Sequence, residues 1–236
     1  MMSVCVMIFS STGLMAQKWQ KVRGDGPAIK QDRNGGSFNE IHTHGSFNVE
    51  ITDGATNSVK VEAQQNLQEY VIVENKGGEL HIRNKEGYII QPEHDITIYV
   101  TAPSIKGIYL SGSGNVNSTN QLNGSDQFEI KSAGSGNVNI DVETAGLRAA
   151  IAGSGNITLK GKTSDLEGRI NGSGNIKAKD LQSANTTVHI SGSGNAEVVA
   201  TQKLNTNIAG SGDVRYWGDA SVDSKVRGSG SVSRQK

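Results

Sequence analysis

Five histidines, a scatter of arginines and carboxylates, and a recurring Gly-Ser-Gly-Asn are the features whose residue types and spacing invite chemistry in this 236-residue chain. His42 and His44 stand two apart, the spacing that puts alternate side chains of a strand on one face. The pair is compatible with metal ligation if Glu40 or His94 supplies a third donor. The simpler reading is two solvated imidazoles on an early strand, and no metal or other cofactor is expected. His189 falls out of phase with the aliphatic residues around it and reads as outward. Arg148 and Arg169 lie five and three residues ahead of Gly153 and Gly172, while Asp141 and Glu143 point outward by parity. Paired carboxylates can serve as acid and base on a glycosidic bond. Charges along the faces of a rod normally keep it soluble, so no catalytic residue is assigned.

The glycine motifs do not spell a nucleotide site. A phosphate cradle needs Lys followed by Ser or Thr after its last Gly, at the start of a helix. Each motif here runs instead into a stretch of strand-forming residues. Calcium-binding repeats set Asp beside their glycines in every turn, whereas only Gly210-Ser211-Gly212-Asp213 does so here.

The spacing of the motif decides what must position these side chains. Gly-Ser-Gly-Asn begins at Gly112, Gly134, Gly153, Gly172 and Gly192, then recurs as Gly-Ser-Gly-Asp at Gly210 and Gly-Ser-Gly-Ser at Gly228. The steps are 22, 19, 19, 20, 18 and 18 residues, a period in the range of solenoids. Two positions before each motif stand Leu110, Ser132, Ile151, Ile170, Ile190, Ile208 and Val226; four after its first Gly stand Val116, Val138, Ile157, Ile176, Ala196, Val214 and Val232. Stepping by two extends both columns, which is the alternation of strands with one buried face.

Parity gives the two glycines of each motif the inward phase and turns the Ser and Asn outward. Ser113, Asn115, Ser135, Asn137, Ser154, Asn156, Ser173, Asn175, Ser193 and Asn195 therefore form two polar rows, the one candidate binding surface. Such rows can match a repeating partner, or they can satisfy corner backbone groups and one another.

The expected fold is all-β: a right-handed parallel β-helix or β-solenoid with coils of about 19 residues and irregular amino-terminal coils. Residues 1–16 are apolar and uncharged and end in Ala16, which reads as a signal peptide. They hold the single Cys, Cys5, so a cleaved chain has no thiol for disulfides, catalysis or metal. Residues 17–36 read as a mobile leader, 37–105 as irregular coils with hairpin-like loops, and 106–236 as regular coils. Near the carboxyl end, Tyr216 and Trp217 read as an aromatic plug, with Arg227, Arg234 and Lys236 as charged gatekeepers of the last coil.

Composition agrees with order rather than disorder. The 30 Gly, 25 Ser and 20 Asn make about a third of the chain, but much of that excess sits in the seven motif copies. Aromatic residues are only 5%, which a stack of shared strand faces tolerates. Basic and acidic residues balance at 23 each, leaving no electrostatic footprint for nucleic acid. No apolar run is long enough for a transmembrane segment.

The block Asp95-Ile96-Thr97-Ile98-Tyr99-Val100-Thr101-Ala102-Pro103, followed by Ile108-Tyr109-Leu110-Ser111-Gly112-Ser113-Gly114-Asn115 and its later copies, resembles a bacterial family of unknown function. That family is the putative auto-transporter adhesin, head GIN domain, and the similarity covers about residues 37–220. The resemblance implies an exported β-solenoid of the Gram-negative envelope: periplasmic, associated with the outer membrane, or extracellular. It brings no established catalytic residues. The function expected is a non-enzymatic adhesin or cell-envelope binding or structural module; the alternative is a polysaccharide-active β-helix enzyme. A glycan or an envelope or surface protein fits as partner, and the ends or faces of the rod offer a route to homo-oligomers.

Overall fold

The alternating aliphatic columns become stacked parallel strands in the computed structural model, which describes residues 19–236. The signal-peptide reading of residues 1–16 falls outside the described residues. Gly112, Gly134, Gly153, Gly172, Gly192, Gly210 and Gly228 pair successively in register, coil on coil. The result is an all-β solenoid of parallel coils. Its register follows from burial, because a slip of one residue would turn a whole aliphatic column into water. Val116, Val138, Ile157, Ile176, Ala196 and Val214 are buried as one column, and Leu110, Ser132, Ile151, Ile170, Ile190 and Ile208 as another. Strands Asn137–Gly153, Asn156–Gly172 and Asn175–Gly192 each run most of a coil, interrupted only at the Ser-Gly pair.

The two glycines of a corner are required for different reasons. The first has φ between 123° and 137° in all seven copies, a backbone region that favours glycine. In the first six copies it sits half-buried at the apex while the second is buried, so the inward phase expected of both glycines holds fully only for the second. A Cβ at the second glycine, Gly174, would lie 2.2 Å from the Gly155 carbonyl oxygen of the preceding coil. At the first, the Gly153 carbonyl accepts from both Ser173 N and Gly174 N at 3.0 and 3.1 Å, and the same forked contact recurs along the stack.

The opening half is folded out of sequence order. Glu40–Gly45 and Asn48–Asp53 make a coil with its own corner at Gly45 (φ 129°). On one side they pair with Ile105–Gly112 and Asn115–Ser118, on the other with Glu79–Asn84 and Thr97–Ala102. The later segment 79–102 thus lies outside the earlier one. Ser58–Gln64 runs antiparallel to Thr97–Ala102, and Val71–Lys76 antiparallel to Glu79–Asn84. A 3-10 turn, Gln65–Tyr70, places Leu67 and Gln68 inside. These antiparallel strands occupy edges that a bare stack would leave unpaired.

The mobile leader expected at 17–36 is corrected: it contains two strands. Gln20–Arg23 pairs in parallel with Tyr88–Gln91, and Ala28–Arg33 pairs antiparallel with Ser58–Gln64. Backbone pairing to a waiting edge holds them, since the side chains from Ala28 to Asp32 are exposed and show no alternation. The aromatic plug also needs correction. Tyr216 continues the inward column of Ala178 and Val198, but it is only half-buried, and Trp217 stands beside Val199 on the outward phase. Beyond them the strand Ser221–Gly228 is exposed along its whole length, Val226 included.

Candidate functional site

The asparagine row is one continuous hydrogen-bond chain. The Nδ2 groups of Asn115, Asn137, Asn156, Asn175 and Asn195 donate in turn to the Oδ1 atoms of Asn48, Asn115, Asn137, Asn156 and Asn175, at 2.9, 3.0, 2.9, 2.9 and 3.1 Å. At one end Asn48 donates to the Asp95 carboxylate at 3.2 Å. At the other, Asn195 Oδ1 accepts from Asp213 N, and Asp213 Oδ1 accepts from the amide and hydroxyl of Ser231 at 2.9 and 2.7 Å. Asp213 therefore closes the ladder. A second, shorter ladder runs from Asn139 to Asn117 to Glu50 at 2.8 and 2.9 Å. In-register stacking at roughly 4.8 Å brings each amide within reach of the next.

The serine row is different. The backbone N–H groups of Ser113, Ser135, Ser154, Ser173 and Ser193 donate to the apex glycine carbonyls of the preceding coil at 2.9–3.1 Å. Their side chains are exposed, and among the described residues their hydroxyls hold no hydrogen bond. The structure thus separates the ten residues into asparagines committed to one another and serines with donors and acceptors free for solvent or a partner.

The charges considered for catalysis fall into two separate groups, and the two arginines meet on one carboxylate. Arg148 Nε lies 3.2 Å from Glu167, and Arg169 Nε donates to the same carboxylate at 2.8 Å. The Arg169 hydrogen bond, working against partial burial, holds the Glu167 carboxyl below the usual carboxylate range. Asp141 pairs in register with Lys160, and Glu143 with Lys162, away from the arginines in sequence and register. Nearby, Tyr109 donates its hydroxyl to Glu129 at 2.8 Å, and Lys131 donates to the same carboxylate at 2.8 Å. Burial opposes the charged form of Glu129, but these two donors outweigh it and hold its carboxyl low. Burial, then the bond to Glu129, raises the Tyr109 phenol well above its ordinary value.

His42 and His44 share a face as expected, and Glu40 on the same strand lies 3.3 Å from His42, while the other near neighbours of His42 come from adjoining coils. Glu79 and His81 stand beside Glu40 and His42 in register. The rings of His42 and His81 lie 4.9 Å apart, while the His44 and His81 ring centres are 6.3 Å apart. His94 is exposed on the excursion between Gln91 and Thr97. Glu79 and His81 are absent from the sequence reading. The signal that reveals them is the repeated Glu-x-His of Glu40-Ile41-His42 and Glu79-Leu80-His81.

Comparison with known proteins agrees with this architecture. No curated protein matches the sequence. A structure described as a putative adhesin from Bacteroides fragilis superposes with a TM-score of 0.84 at 24% identity, covering 91% of this chain and 100% of that one, and shows the fold alone. A putative lipid binding protein from Parabacteroides distasonis gives 0.77 at 28% identity, covering 92% of this chain and 100% of its own. A putative adhesin from the same species gives 0.73 at 27% identity, with 92% and 100% coverage. No helix among the described residues is long and apolar enough to cross a membrane. The model of the family described as putative auto-transporter adhesin, head GIN domain, matches residues 37–220, and the chain belongs to that family.

Proposed function

We propose that this protein is an exported, non-enzymatic binding module of the bacterial cell envelope that presents its serine row to a repeating polar polymer, a glycan in the first instance. The observation that carries this reading is the contrast between the two rows. The asparagine amides are consumed in their own ladder, while a parallel line of exposed hydroxyls recurs coil after coil. Hydroxyls spaced by the coil repeat offer one donor and two acceptors at each step of about 4.8 Å. The family description and the adhesin descriptions of similar structures support a surface role. The inward apolar columns from Ile108 to Val214 are buried side by side in the core, which favours a partner on the outside over a lipid within.

The test is a glycan array on the chain from residue 17 onward, paired with a product assay on the same polymers. Binding without turnover is expected, and Ser154→Arg with Ser173→Arg should weaken it at least about ten-fold with little change in melting temperature. Product release would replace this reading with a polysaccharide-active enzyme. Binding that ignores the two arginines, or no binding at all, would return the serine row to a purely structural part.

A further inference from the structure

Two Glu-x-His tripeptides meet on neighbouring coils, with Glu40 beside Glu79 and His42 beside His81. The in-register pairing turns a sequence repeat into a two-by-two grid of ligand atoms on one face, about 4.8 Å apart across the strands. His81 Nε2 lies 3.0 Å from Glu79 Oε2, and His42 Nε2 lies 3.8 Å from the same oxygen. His42 Nε2 is also 3.3 Å from Glu40 Oε2. One ligand atom from each of His42, Glu79 and His81 falls within 4.8 Å of the other two, the one group of this kind among the described residues.

We propose that His42, His81 and Glu79, with Glu40 beside them, form a site for a divalent transition-metal ion of the zinc class. Donors about 2.0–2.2 Å from a tetrahedral centre stand roughly 3.3–3.6 Å apart. The Glu40–His42 and Glu79–His81 contacts already lie at or inside that spacing, and the His42–Glu79 contact lies just outside it. Two imidazole nitrogens with carboxylate oxygen suit zinc, whereas calcium and magnesium prefer shells made of oxygen alone. Both imidazole side chains are only 19% exposed. The His42 ring is further held by Tyr109, stacked 4.2 Å away, whose hydroxyl is anchored on Glu129. Restraint of ligand rings by a second layer of contacts is what a metal site requires. Glu40 or water supplies the fourth donor. An ion here clips the outer strand Glu79–Asn84 to Glu40–Gly45, where the stack turns from regular coils into its cap.

The experiment uses the untagged chain, stripped with chelator and titrated calorimetrically with Zn²⁺. Uptake of one equivalent at micromolar zinc is expected. Co²⁺ should bring visible bands typical of four-coordinate N/O ligation. His81→Ala and Glu79→Gln should each weaken zinc binding at least about ten-fold, while His189→Ala leaves it unchanged. Excess zinc should raise the melting temperature of the parent by roughly 5 °C or more, but not that of the double variant His42→Ala/His81→Ala. Equal zinc uptake by parent and double variant, no uptake by either, or displacement of zinc by equimolar Mg²⁺ would overturn the site and leave only ion pairs between Glu and His.

Discussion

The regular coils and the opening cap solve the same problem by opposite means. From Gly112 onward, each corner glycine stacks on the corner glycine of the next coil, so one corner design is stamped seven times and its hydrogen bonds run from like to like. On the outer side of the cap the corner is not copied. The corner at Gly45 carries Phe47 where every later corner has its second glycine, and Phe47 is buried in the core. Its outer neighbour leaves the corner path between Asn84 and Thr97, so there is room for a ring where elsewhere a carbonyl blocks even a methyl. Repetition imposes backbone contact and excludes side chains; loss of repetition demands side chains to fill what the backbone no longer fills. The clustered histidines and glutamates also fall in the cap, where no column forces residue identity.

The strongest way to break the comparison is to put a side chain into a regular corner. Gly174→Val sets a Cβ 2.2 Å from Gly155 O and 2.8 Å from the Ile151 side chain, both held by the coils around them. The expected loss is more than about 5 kcal/mol, or roughly 10 °C or more in melting temperature. Ser173→Ala, one position away on the exposed row, should change it by no more than about 0.5 kcal/mol. Equal effects of the two, read by thermal denaturation, would remove the distinction between corner glycine and corner serine.

Phe47→Gly sharpens the comparison, because it completes the consensus Gly-Ser-Gly-Asn at the one early corner that departs from it. If consensus alone stabilised a coil, the variant would be neutral or better. A cap that depends on side chains to fill it instead loses about 3–5 kcal/mol from the emptied space. Urea denaturation decides the sign.

The same contrast decides how much of the fold is legible in the sequence. Parallel coils, the inward columns and the outward Asn row were legible from 106 to 236 because the repeat places matched residues at matched phase. The chain's return in the cap was not. The pairing of Glu40–Gly45 with Glu79–Asn84 skips over three strands, two of them antiparallel, and a 3-10 turn, so nothing local announces that His42 and His81 are neighbours. The strand Ala28–Arg33 has a Lys-Gln-Asp-Arg sequence with no buried face, and only the edge of Ser58–Gln64 calls it into order. Phase turns the serine and asparagine rows away from the core, but their separation into a bonded ladder and a free row depends on side-chain reach, which phase does not encode.

The last contrast compares a single polar device with a distributed one. Gln68 is buried in the cap, where its Nε2 donates to the carbonyls of Ile29, Val61 and Ala63 at 2.8, 3.2 and 3.3 Å. Its Oε1 accepts from Arg33 at 2.9 Å. Gln68→Leu removes every one of these bonds in a place water does not reach, so about 2–3 kcal/mol should be lost. Amide exchange in Ala28–Arg33 should quicken, because that strand is fastened through Ile29 and Arg33. Asn156→Ala breaks the ladder at one rung, leaving Asn137 Oδ1 without its donor and Asn175 Nδ2 without its acceptor. Both orphaned groups are half-buried and can turn to water, so the cost should be only about 0.5–1.5 kcal/mol. Exchange in the flanking coils should stay unchanged, since backbone pairing on both sides is untouched. If Asn156→Ala proved as damaging as Gln68→Leu, the ladder would be cooperative along its length, and the regular coils would depend on their side chains as much as the cap does.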